Sequence, residues 1–82
     1  MYTLTYTATA TKQIEKLDKN LRKRILATLE RIRIRPYPHL KKLVDSPYFR
    51  LRVGKYRVVL NVCDGELLIL VIEIDHRKRI YK

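Results

Sequence analysis

The residues best suited to chemistry are basic and fall late in the chain. Arg50, Arg52 and Arg57 flank Gly54-Lys55, and His76, Arg77 and Tyr81 lie near the end. A guanidinium stays charged and grips phosphate or carboxylate oxygens with a planar fork, so this set suits an anionic ligand. Tyr48 to Val62 alternates around Gly54-Lys55, which predicts two strands joined by a two-residue turn. Pairing across that turn sets Val53 against Tyr56, Arg52 against Arg57, Leu51 against Val58, Arg50 against Val59 and Phe49 against Leu60. One face is then apolar, with Phe49, Leu51, Val53, Tyr56, Val58, Leu60 and Val62. The other carries Tyr48, Arg50, Arg52, Arg57, Val59 and Asn61. Like charges directly opposite each other weaken a sheet, so the Arg52/Arg57 pair points to an anionic partner rather than to stability.

Composition supports that partner. The chain has 82 residues, enough for one small domain, and a formal net charge of +11. So strong a basic balance favours nucleic acid, a ribosome, an anionic surface or an acidic protein. Cys63 is the single cysteine, which excludes a disulfide framework or a zinc cluster and fits a reducing cytoplasm. No basic segment followed by an apolar run opens the chain, so no secretory signal is expected. The apolar run Leu67 to Ile72 is too short to cross a bilayer.

The remaining elements must position the basic set. Tyr2 to Thr7 alternates aromatic and β-branched residues and predicts a first strand. Ala10, Ile14 and Leu17 then recur at helical spacing, with Thr9 or Thr11 as the expected N-cap. Asp18 or Asn20 can cap a second helix, whose apolar stripe is Leu21, Ile25, Leu29 and Ile32 and which Pro36 stops. Its other faces carry Arg22, Lys23, Arg24, Arg31, Arg33 and Arg35 with Glu30 as the one acid, either a solvated face or an electrostatic skirt for RNA. Pro36 to Pro47 is expected to be a loop, with His39 a loop histidine. Asp64-Gly65 predicts a second tight turn, which opposes Val62 to Leu67, Leu60 to Ile69, Val58 to Val71 and Arg57 to Ile72. Leu67, Ile69 and Val71 then join the core, while Leu68, Leu70, Ile72 and Ile74 form a row on the arginine side that needs a cover. The expected fold is α+β: a strand, a helical hairpin and a three-stranded antiparallel meander in one sheet, with the helices on one face.

Lys42-Leu43, the run from Tyr48 to Val59 and the terminal His76-Arg77-Lys78-Arg79-Ile80-Tyr81 resemble the RelE/ParE toxin superfamily, RelE-like branch, over essentially the whole chain. The resemblance implies a single RelE-like domain over residues 1–82, with the microbial-ribonuclease-like fold. It also implies a type II toxin that cuts messenger RNA on the ribosome and is neutralised by an acidic, RelB-like antitoxin in a heterotetramer. The catalytic basic positions then fall on Arg50, Arg52, Arg57 and Arg77, with Tyr81 as the C-terminal aromatic. Lys41, Lys42, Lys55, Arg79, Arg31 and Arg35 are expected to meet RNA or ribosome, and Leu68, Leu70, Ile72 and Ile74 the antitoxin. RNA brings its own nucleophile, the 2′-hydroxyl, so the protein need only align it, neutralise the phosphate and help move a proton. No metal or cofactor is expected. Some relatives carry lysines where this chain has Arg50 and Arg52, and arginine does not release its proton. His76 is then the candidate acid/base, against a structural role at a strand end. Two other functions share the fold or the charge: a non-enzymatic, ParE-like inhibitor of DNA gyrase, and an RNA-binding homologue without chemistry.

Overall fold

The computed structural model describes residues 1–76, so Arg77, Arg79 and Tyr81 lie outside the described residues. The chain runs β1 (Thr3–Tyr6), α1 (Ala8–Lys16), α2 (Lys19–Ile32), a 3₁₀ turn Tyr37–His39, β2 (Lys41–Lys42), β3 (Phe49–Val53), β4 (Tyr56–Cys63), a 3₁₀ turn Asp64–Glu66 and β5 (Leu68–His76). The five strands form one sheet in the order β1-β5-β4-β3-β2, and β1 is parallel to β5 while the other pairs are antiparallel. No helix is long and apolar enough to cross a membrane among the described residues.

Both helices start at a side-chain cap. Thr7, two residues ahead of the expected Thr9, accepts from the Ala10 N–H at 3.0 Å, and its hydroxyl donates to the Ile72 carbonyl at 2.6 Å. Asp18 caps α2, taking the Asn20 and Leu21 N–H groups. Arg22 then reaches back to the Leu17 carbonyl at 3.1 Å, tying the end of α1 to the start of α2. The apolar stripes land on the sheet: Ala10, Ile25, Leu29 and Ile32 are fully buried against Val58, Leu60, Ile69 and Val71.

The first hairpin has the expected register, including Arg52 opposite Arg57. Gly54 sits at φ 59°, where a side chain would be strained, and a Cβ there would come within 3.2 Å of the Arg24 guanidinium. The second turn differs from expectation. Asp64–Glu66 winds into a 3₁₀ turn and Leu67 is left-handed at φ 51°, so the connection is longer than two residues. The register becomes Val62 opposite Ile69 and Leu60 opposite Val71, and Leu67 is half exposed instead of joining the core.

A second departure matters more for function. A bulge makes Ile72 an extra residue: Leu60 pairs with Val71, but Val59 pairs with Glu73 and Val58 with Ile74. Every later side chain of β5 changes face. Ile74, expected in the exposed row, is buried in the core at 4% exposure. Gln13 on α1 accepts the Ile74 N–H at 2.6 Å, which holds the strand where β1 has ended.

The segment expected to be a loop also contributes structure. Lys41 and Lys42 pair with Arg50 and Phe49, adding a short edge strand. Asp64 staples the sheet end together: Tyr2 O–H donates to its Oδ1 at 2.8 Å and Tyr37 O–H to its Oδ2 at 2.7 Å. Accepting these bonds holds the Asp64 carboxyl below its ordinary range, Tyr37's bond acting most, and Asp64 in turn pushes Tyr37 up to about 12.

Candidate nucleic-acid site on the open face of the sheet

Strand alternation sorts the basic residues. Arg50, Arg52 and Arg57 share the face turned away from the helices, and β2 adds Lys41 opposite Arg50. Two shallow hollows open there. One, of about 490 Å³, is lined by Lys42, Leu43, Val44, Ser46, Arg50 and Arg57. The other, of about 210 Å³, is lined by His39, Lys41, Arg50 and Arg52. Arg50 is the wall common to both.

The electrostatics of this face are unbalanced. Arg57 is half-buried, and its Nε has no hydrogen-bond partner among the described residues. A buried donor without a partner is costly, and a charged one more so. Arg52, opposite it, adds like charge. The ion pair within 4.0 Å among the described residues is elsewhere, between Arg33 and Glu30 at 2.7 Å. That arginine also donates through Nε to the Tyr2 carbonyl at 2.8 Å, so Arg33 anchors β1 and does not belong to the basic skirt.

The bulge decides which β5 residues meet the arginines. Glu73 and Asp75 fall on the arginine face, with Asp75 opposite Arg57. His76 falls on the other face, opposite Tyr56, and its ring meets the Tyr56 ring edge-on at 5.0 Å. It lines a hollow of about 240 Å³ with Gln13 and Lys16 of α1 and with Leu17 just beyond it. The expected convergence of His76 with the arginines is therefore corrected, and the cause is the single extra residue Ile72. Asp75 keeps its Oδ1 on the His76 N–H at 2.8 Å.

The other expected positions scatter. Lys42 lies with Nζ 5.0 Å from the centre of the Phe49 ring. Lys55 is exposed in the Gly54 turn, while Arg31 on α2 belongs to the helix layer and Arg35 is exposed beyond it. Leu68, Leu70 and Ile72 remain half-buried on the arginine face beside Thr3 and Thr5 of β1. His39 reads from the sequence as a loop histidine, and its position beside Arg50 and Arg52 depends on the unforeseen edge strand.

The family model described as the ParE toxin of type II toxin–antitoxin systems, parDE, matches residues 4–81, and the chain belongs to that family. Among solved structures it is similar to the toxin–antitoxin complex RelBE2 from Mycobacterium tuberculosis, with 24% identity over 93% of this chain and 98% of that one and a TM-score of 0.85. The isolated RelE toxin of E. coli gives 22% identity, 99% and 92% coverage and a TM-score of 0.82. The RelB–RelE complex of Methanococcus jannaschii gives 27% identity, 93% coverage of each chain and a TM-score of 0.72. No curated protein matches the chain.

Proposed function

We propose that this toxin is a ribosome-dependent endoribonuclease that cuts messenger RNA with the RNA 2′-hydroxyl as nucleophile. The observation that carries this reading is the Arg57 guanidinium, half-buried and unpartnered at Nε, set between Arg50's hollow and the like charge of Arg52. A phosphate lying in that hollow would meet the outer, accessible end of the Arg57 guanidinium and neutralise the Arg52/Arg57 pair. In this reading Arg57 and Arg77 clamp the scissile phosphate. Arg50 and Arg52 position the backbone, and Tyr81 holds a base by stacking; the roles of Arg77 and Tyr81 rest on the resemblance of the C-terminal residues alone. Lys41 extends the basic track beyond Arg50. Arginines stabilise charge that develops on the phosphate without moving a proton themselves.

The partner is an acidic, RelB-like antitoxin. Leu68, Leu70 and Ile72 offer it an apolar strip bordered by arginines, which suits a segment with an apolar stripe and carboxylates. Several similar solved structures are RelE–RelB complexes, which supports a partner of this kind. Toxin and antitoxin would assemble as a heterotetramer in the cytoplasm.

The test is expression with and without the antitoxin, followed by mapping of transcript ends on ribosomes. New ends within the decoding site support the reading, and growth arrest with intact messages overturns it. The family model's ParE description favours a second reading, binding of DNA gyrase without chemistry. Accumulation of gyrase cleavage complexes with unbroken messages would select it.

A further inference from the structure

The arginines of the site can grip a phosphate but cannot take the proton of the 2′-hydroxyl, since arginine does not release its own in the working range. Of the two carboxylates on that face, Asp75 stands against Arg57 and accepts the His76 N–H, and Glu73 is paired with Val59, not with an arginine. His76, the histidine expected to serve, packs on the helix face against Tyr56. The other histidine is on the correct face. We infer that His39 is the proton acceptor of this site, an inference that rests on the RNA-cleavage reading above.

His39 lines a hollow with Lys41 of β2 and with Arg50 and Arg52 of β3, and these cations are the charged groups that face it there. Arg50 also lines the adjoining hollow with Arg57, so a nucleotide backbone crossing Arg50 would pass both the phosphate clamp and the imidazole. The ring is exposed, and no hydrogen bond to it is seen among the described residues. Its backbone, by contrast, is well fixed. The His39 N–H donates to the Pro36 carbonyl at 3.0 Å and the Leu40 N–H to the Tyr37 carbonyl at 3.1 Å. Pro36 and Pro38 restrict the turn, and Tyr37 is anchored twice, by its bond to Asp64 and by its edge-on contact with Phe49 at 5.7 Å. A free ring on a rigid turn is what positioning for proton transfer needs.

In the step, the 2′-oxygen attacks phosphorus while its proton passes to the His39 imidazole. The P–O2′ bond forms and the P–O5′ bond breaks. The departing O5′ takes a proton from solvent, leaving a 2′,3′-cyclic phosphate and a 5′-hydroxyl, and the imidazolium then returns its proton to solvent. Imidazole is suited to both transfers near neutral pH.

The experiment uses the full chain on ribosomes programmed with a short message, in single-turnover cleavage across pH 5 to 9. His39→Gln should cut about 10²–10⁴-fold more slowly and lose the acid limb of the pH profile, the usual size of a general-base contribution. His39→Ala should regain part of its rate with added imidazole, which a structural role would not produce. Cleavage by His39→Gln at the rate and pH profile of the unaltered chain overturns the inference and leaves the RNA-cleavage reading standing. So does loss of the acid limb in His76→Gln but not in His39→Gln. Absence of cutting by the unaltered chain removes both.

Discussion

Arg57→Met should make the protein more stable while disabling it. In the folded chain Arg57 holds a buried Nε without a partner and stands opposite Arg52. An unsatisfied buried donor costs about 1–3 kcal/mol, and a like-charged cross-strand pair costs roughly 0.2–1 kcal/mol. Methionine keeps an aliphatic stem and removes both penalties, but it also gives up the cross-strand attraction to Asp75, roughly 0.2–1 kcal/mol. The other guanidinium nitrogens lose solvent contact less completely, so the expected gain is toward the low end, about 1–2 kcal/mol. For a domain of this size each kcal/mol moves Tm by about 4–8 °C. The same change removes a donor aimed at developing phosphate charge, which should lower cleavage about 10²–10³-fold. Thermal unfolding by circular dichroism, in phosphate-free buffer at low salt, reads the first effect and end mapping on ribosomes the second. A lower Tm for Arg57→Met would refute the reasoning, because it would mean that the guanidinium contributes to the fold.

Four further outcomes follow from the β5 register and the turns around it. Ile74→Ala should cost about 2–5 kcal/mol, as for a core aliphatic, and leave the isolated toxin poorly folded; Leu70→Ala should change Tm little and weaken antitoxin binding, measured by calorimetry. Leu67→Gly should raise stability by roughly 0.5–1 kcal/mol, read in urea unfolding, since a left-handed backbone penalises leucine. Tyr37→Phe should test the Asp64 staple by its pH dependence. The Asp64 carboxyl is lowered, so its contribution is present above the unfolded value of about 3.9 and fades as pH falls through the lower folded value. Tyr37 is raised, so its contribution is present below about 10 and fades as pH climbs through about 12. The stability difference between the unaltered chain and Tyr37→Phe should therefore be flat between these limits and shrink at both ends; a difference that grows at either end contradicts the staple.

Local rules carried the hairpin and the helices and failed where tertiary contacts intervene. Gly54 fixed a two-residue turn, and that alone determined the face and pairing of Arg50, Arg52 and Arg57. The helical stripes needed only the spacing of Ile25, Leu29 and Ile32, all fully buried as expected. Asp64-Gly65 misled, because Asp64 is committed to two tyrosine hydroxyls from distant segments and the turn winds further, pushing Leu67 into the left-handed region. Nothing local announces the bulge at Ile72. The hydroxyl of Thr7 holds the Ile72 carbonyl and the amide of Gln13 takes the next free N–H, and both contacts span more than sixty residues of sequence. The consequence for the site was large: Glu73 and Asp75 came to the arginine face, and Ile74 and His76 left it. His39 reads from the sequence as a loop histidine, and it does lie in a turn; its place beside Arg50 and Arg52 was not legible because a two-residue edge strand is too short to show periodicity.

Transcript-end mapping on ribosomes tests the central claim most directly. Ribosomes carrying a defined message, exposed to the purified toxin, should yield a single new end inside the decoding site with the unaltered chain. They should yield it about 10²–10³-fold more slowly with Arg57→Met, and not at all when the antitoxin is added first. Messages that stay intact while the unaltered toxin arrests growth would contradict the account, as would cutting that survives Arg57→Met at full rate.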